Sequence, residues 1–256
     1  MGSDTGPVQQ LIECNDELRS AMTARLDAHD RLELPLEGRR HAAVAIVIVE
    51  SQRGDDADDP YEFSDEEMRV IPGYTDDMAD VLDGRMADVA GGASFVLCRR
   101  SAGLRSHASQ WALPGGRLDE GETVIDAALR ETWEEVGVRF GPDRVLGVLD
   151  DYATRSGYVM TPVVVWGGPG VELDPSPHEV LAAYRIGLHE LAREDSPRFV
   201  DIPESDRPVV QVPLGGDLIH APTGAVLVNF RWICIDGKLS VESRVDQFEQ
   251  PVFAWG

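Results

Sequence analysis

The chain has 256 residues, 43% of them apolar, enough for one large core or a core with extensions. Acids outnumber bases 46 to 23, a net charge of −23. This excludes general nucleic-acid binding, which rests on Lys and Arg neutralising phosphates, and disfavours an anionic membrane surface. The three cysteines, Cys14, Cys98 and Cys234, are odd in number and widely spaced, so neither a disulfide framework nor a zinc site is implied.

The opening Met1-Gly2-Ser3-Asp4 has neither the basic stretch nor the apolar run of a signal peptide. With no run of membrane-spanning length and a cysteine pattern suited to a reducing compartment, a cytoplasmic protein is expected. Residues 8–37 place Leu11, Cys14, Leu18, Met22 and Leu26 at spacings of three and four, which predicts a helix ended by Pro35. His41–Val49 is a dense β-branched run and predicts a buried strand. Residues 51–92 break the pattern: between Asp55 and Asp88 there are 13 acids and two arginines. A surface insertion is expected there, with a short amphipathic helix at 76–90 and no EF-hand spacing.

Strand character returns at Ser94–Arg99, Val145–Leu149, Tyr158–Trp166 and Val180–Ile186, with a turn at Ser156-Gly157 and a short helix at His189–Arg193. Ala225–Ile235 is apolar without a periodicity that separates helix from strand. Strands and helices in this order predict an α/β sandwich around one core. The expected organisation is a helical extension at 1–37, a domain at 38–235 carrying the insertion 51–92, and a C-terminal extension at 236–256.

Residues 114–138 read PGGRLDEGETVIDAALRETWEEVGV. Thr123 and Asp126 can form a capping box, and Gly137 stands where a left-handed helix end wants glycine. Ile125, Leu129, Thr132 and Val136 share one face and are expected to pack on the core. Glu131, Glu134 and Glu135 share another, which brings three carboxylates onto adjacent turns. Such a cluster weakens an isolated helix but suits a hard cation, Mg²⁺ or Mn²⁺. Arg130 can pair with Glu122 and tie the preceding loop to the helix.

This string is similar to the Nudix box: Gly116, five residues, Glu122, seven residues, Arg130-Glu131, two residues, Glu134-Glu135, one residue, then Gly137 and an apolar Val138. Agreement at seven positions has a chance probability on the order of 10⁻⁵ or less at average residue usage. The one departure is Thr132, where the pattern prefers an aliphatic residue. The resemblance implies a Nudix-type α/β/α sandwich with a mixed sheet and hydrolysis of a phosphoanhydride in a nucleoside diphosphate derivative. It implies Glu131, Glu134, Glu135 and the carbonyl of Gly116 as metal ligands. Glu122 and Arg130 would hold the loop and helix.

Upstream, Arg100-Ser101, Arg105, Ser109 and Leu113-Pro114-Gly115-Gly116 resemble the motif before the box in coenzyme A diphosphatases. Ser109 and Leu113 depart from that motif's glycine and phenylalanine. Downstream, Thr161-Pro162 and Pro177-His178-Glu179-Val180 resemble the same group, which makes Glu179 a further acid near the metal. Three arginines before a catalytic loop suit an anionic substrate, so Arg99, Arg100, Ser101 and Arg105 are the expected substrate contacts. Trp111 and Cys98 are expected in the core.

The expected substrate is coenzyme A or an acyl derivative, with another dinucleotide or nucleotide sugar (ADP-ribose, NADH) as the alternative. A non-catalytic Nudix-fold binding domain is disfavoured, because all four box glutamates are present. The family resemblance also raises a homodimer.

Overall fold

The run 41–49 lies at the middle of the sheet. The computed structural model describes residues 10–55, 69–75, 78, 82, 86–101, 110–239 and 243–252. In chain order the elements are α1 (Asp16–Ala28), β1 (Arg40–Ser51), β2 (Gly92–Arg100), β3 (Trp111–Ala112), β4 (Gly115–Arg117), α2 (Val124–Val136), β5 (Val145–Val148), β6 (Tyr152–Ala153), β7 (Tyr158–Gly168) and β8 (Val180–Gly187). There follow α3 (Leu188–Leu191), β9 (Arg198–Ile202), β10 (Ser205–Leu214), β11 (Asp217–His220) and α4 (Thr223–Phe230), which continues into a π-helical turn at Arg231–Ile235.

Among the described residues the larger sheet has eight strands, with a central order β3-β2-β1-β7-β5. β1 runs parallel to β7 and antiparallel to β2 and β4, so the sheet is mixed. The α/β architecture expected from the element order is the one observed. Strand alternation divides the core in two. Ala43, Ala45, Val47 and Val49 face α2, where they meet Ala127, Ala128 and Val136. The small alanines on both sides let the helix approach closely. Val44, Ile46 and Ile48 face the opposite layer, with Met22 and Leu26 of α1 and Ala225–Val228 of α4. Since β1 is buried on both faces, its sequence shows no polar alternation.

Several expectations change here. The N-terminal helix begins only at Asp16, where the Asn15 side chain accepts from the Leu18 N–H and caps it. Leu11 and Cys14 therefore precede the helix rather than sit on it. The segment is no loose extension: Met22 and Leu26 are in the core, and Arg31 reaches the buried Asp151 at 2.7 Å.

The insertion also contributes to packing. Ile71 and Leu82 bury against Leu218, and Met86 and Val89 join the main core. Most of the expected helix at 76–90 lies outside the described residues, and Met86–Ala90 are not helical. The short helix after β8 is Leu188–Leu191, slightly earlier than 189–193.

A second, three-stranded sheet, β11-β10-β9, was not foreseen. Its inner residues Val210, Val212 and Leu214 close the α1–α4 layer. The undecided segment 225–235 is helical, buried along its whole first part. The C-terminal stretch is likewise built in: Val245 and Phe248 are core residues, and the buried Glu249 carboxylate takes Arg155 at 2.6 Å and Arg207 at 2.8 Å.

Candidate active site

Helix α2 follows its local sequence. Thr123 and Asp126 form a reciprocal capping box, and Gly137 ends the helix at φ 76°, which a side chain would oppose. Its buried face is Ala127, Ala128, Thr132, Glu135 and Val136, with Ile125 and Leu129 only partly covered. Thr132 is fully buried yet satisfied, its hydroxyl donating to the Ala128 carbonyl at 2.7 Å. That explains why a residue outside the aliphatic preference is tolerated there.

The helix presents its glutamates to the β4 backbone. A Cβ on Gly116 would lie 2.3 Å from Glu131 Oε1 and 2.6 Å from its Cδ, so only glycine leaves this carboxylate its place. Glu135 is 5% exposed, and its Oε2 accepts from the Gly115 N–H at 3.1 Å. Its other oxygen lies 3.9 Å from the Arg100 guanidinium. Burial pushes the Glu135 carboxyl up to about 7, with the negative charges of Glu131 and Glu179 adding to the effect. Glu131 is raised as well, first by burial, then by Glu134 and Glu179, while Arg130 opposes the rise.

Arg130 gathers the acids. It donates to Glu122 at 2.8 and 3.0 Å, to Glu131 at 2.8 Å and to Glu134 at 2.9 Å, and its Nη2 also reaches the Arg117 carbonyl. The Glu122 carboxyl is held below its ordinary range, chiefly by its hydrogen bond from Arg130. Glu122 also accepts from the Asp119 N–H at 2.8 Å, closing the loop between β4 and α2.

The charges of Glu134 and Glu179 are felt by Glu131, and those of Glu131 and Glu179 by Glu135. Among the described residues no three acidic, His or Cys side chains converge as a ligand set, and Arg130 holds Glu131 and Glu134. The chemistry of the site nonetheless fits a divalent cation. The carboxylates offer oxygen ligands, and burial raises Glu131 and Glu135 despite Arg130 and Arg100 beside them.

The upstream residues separate. Arg100 points to the α2 face, beside Glu135. The Ser101 N–H donates to the Glu179 carbonyl at 2.9 Å. Arg105 lies outside the described residues, as does Ser109. Arg99 corrects the sequence reading. Its side chain is fully buried on the opposite face of β2, 3.9 Å over the Trp111 ring and 3.4 Å from Asp217, so it has no path to a substrate beside α2. Strand alternation carried that signal: neighbours on a strand face opposite ways. Cys98 is buried in the core as expected. Asp217 had no signal in the sequence, because it sits on the unforeseen second sheet.

Comparison with known proteins agrees with this geometry. Residues 85–205 match the family model described as NUDIX domain. A Photorhabdus laumondii protein described as uncharacterized Nudix hydrolase NudL is 39% identical over 110 residues, covering 43% of this chain and 59% of the relative. The protein of the same description from Escherichia coli O7:K1 is 43% identical over 95 residues, covering 37% of this chain and 50% of the relative. The similarity thus spans between half and three-fifths of these relatives' length. A solved MutT/nudix family protein from Enterococcus faecalis aligns over 88% of this chain and 76% of its own, at 16% identity and a TM-score of 0.46. Among the described residues no helix is long and apolar enough to cross a membrane. The glutamate helix packed on Gly116 and the mixed sheet lie within or pair with this stretch, residues 85–205, that matches the NUDIX domain.

Proposed function

We propose that this protein is a metal-dependent hydrolase of a phosphoanhydride bond in a nucleoside diphosphate derivative, with coenzyme A or an acyl-coenzyme A as substrate. The observation that supports the reaction type is Glu131 packed on Gly116, with Glu135 accepting from the Gly115 N–H and standing beside Arg100. Glu131, Glu134 and Glu135, with the Gly116 carbonyl, would hold Mg²⁺ or Mn²⁺. When bound, the cation neutralises charge on phosphate oxygens and lowers the pKa of a water molecule.

The chain's own residues supply position and charge, which dominate such transfers. Arg130 fixes Glu131 and Glu134 from one side and Glu122 from the other, so loop and helix move as one. Arg100 offers its guanidinium to a phosphate at the edge of the acidic cluster, where an anion would otherwise be repelled. The closeness of Glu179 to Glu131 and Glu135 adds a further carboxylate at the same point.

The substrate reading rests on the register of Arg100-Ser101, Arg105 and Pro114-Gly115-Gly116. Purified protein with Mg²⁺ is given coenzyme A, ADP-ribose and NADH in parallel, with and without EDTA, and products are separated. Cleavage of coenzyme A to a phosphopantetheine product and adenosine 3′,5′-bisphosphate is expected, abolished by EDTA and by Glu134→Gln. Brisk cleavage of ADP-ribose or NADH with none of coenzyme A transfers the assignment to the dinucleotide reading, which Ser109 and Leu113 leave room for. Absence of any metal-dependent turnover overturns both.

A further inference from the structure

Arg99 and Arg100 are neighbours with different surroundings, and β8, the strand paired beside them, is irregular. β2 pairs with β8 in register up to Arg99 and Ala182, but Arg100 pairs with Val180, leaving Leu181 as the extra residue of a bulge. Along β2 the alternation is kept: Val96 and Cys98 pack on the α2 side and Arg100 follows them toward Glu135, while the Ser101 N–H reaches the Glu179 carbonyl. On the β3 side the Arg100 N–H donates to the Gln110 carbonyl at 3.0 Å.

Behind Arg100, on the other face of β2, lies a buried cluster. Arg99 is fully buried, with its guanidinium stacked over Trp111 and one nitrogen 3.4 Å from Asp217 Oδ2. The Trp111 indole N–H donates to that same oxygen at 2.5 Å. The other Asp217 oxygen accepts from the Leu218 N–H at 2.6 Å. Trp111 is fixed at its carbonyl too, by the Thr223 hydroxyl at 3.1 Å, and its ring meets Tyr184 edge-on. Asp217 and Thr223 lie beyond residues 85–205, on the second sheet and the helix that follows it. The added sheet therefore reaches the strand that carries Arg100.

We propose that Asp217 is a positioning residue for substrate binding: through Arg99 and Trp111 it holds in place the end of β2 from which Arg100 faces the phosphates of a nucleoside diphosphate. The proposal rests on the hydrolase reading above for the class of ligand. The physical reason is that a buried guanidinium keeps one orientation only while its counter-charge stays in place. Neutralising Asp217 frees Arg99 to shift, and the shift is transmitted to the next residue.

The test is a double-mutant cycle between Asp217→Asn and Arg100→Ala, read by equilibrium binding of ADP with Mg²⁺ and by KM and kcat on the hydrolysed substrate. Asp217→Asn is expected to weaken ADP binding and raise KM about five- to ten-fold, with kcat falling by less. In the Arg100→Ala background it should have little further effect, because both changes act through one guanidinium. Thermal denaturation confirms that each variant is folded. Should Asp217→Asn not fold, Trp111→Phe removes the indole donor and enters the same cycle. Unchanged KM and ADP affinity in a folded variant, or losses that add fully to those of Arg100→Ala, would overturn the proposal. Failure of the hydrolase reading shows itself differently, in the wild type alone, as ADP binding without turnover of any substrate.

Discussion

Gly116→Ala isolates the close approach between β4 and α2. The new Cβ would stand 2.3 Å from Glu131 Oε1, where ordinary contact begins at 3.4 Å, so the carboxylate must retreat. The obstacle is the end of a side chain rather than backbone, and the retreat breaks mainly the 2.8 Å pair with Arg130. A pair this close to solvent is worth roughly 1 kcal/mol or less, a fall in Tm of about 2–4 °C for a chain of this size. The catalytic cost is larger. A displacement of about 1 Å in a positioning group costs on the order of 10²-fold in rate, about 2.7 kcal/mol of barrier.

Gly115→Ala is the contrast. Its Cβ would meet the Ala43 carbonyl at 2.4 Å and Val44 Cα at 2.6 Å, both backbone, so strand pairing must give way and folding suffers by about 1–3 kcal/mol or more. Circular-dichroism melts and initial rates on the same preparations separate the two. A Gly116→Ala enzyme with near wild-type kcat, or one that melts as low as Gly115→Ala, would refute the assignment of Gly116 to the carboxylate cradle.

Glu249 supplies a pH test. Burial acts to raise its carboxyl, but hydrogen bonds from Arg155, the Gln250 N–H and Arg207 overcome it and leave it lowered to about 2. Its stabilising effect is therefore complete above the ordinary value of 4.5 and lost as pH falls toward 2. Glu249→Gln should flatten that part of the Tm–pH curve, by no more than about 3 kcal/mol given two half-exposed arginine partners; an unchanged acid limb would contradict this. Glu135 has the opposite sign. Raised to about 7, it favours the protonated folded state, so stability falls as pH climbs from 4.5 toward 7. In EDTA at pH 8, Glu135→Gln is expected to raise Tm, and with Mg²⁺ restored the same variant should lack turnover; a lower Tm in EDTA would count against a buried, undercompensated carboxylate. Thr123→Ala removes half of the α2 capping box and should cost about 1 kcal/mol in urea denaturation, a loss that an unchanged midpoint would deny.

The sequence by itself determined what depends on local rules. The caps of α2, its end at Gly137, the Arg130–Glu122 tie and the adjacency of Glu131, Glu134 and Glu135 all follow from spacing along one helix. The run 41–49 announced a strand buried on both faces because nothing polar interrupts it. Alternation says that two adjacent arginines face opposite ways, and only the tertiary structure decided which faces the acids, since that depends on which side of β2 receives α2. It likewise decided that Asp217, on a sheet whose short strands carry weak local signals, counterbalances Arg99. What the two termini pack against was hidden for the same reason: Met22 and Phe248 bury against partners far away in the chain, and periodicity shows that a face is apolar without showing what covers it.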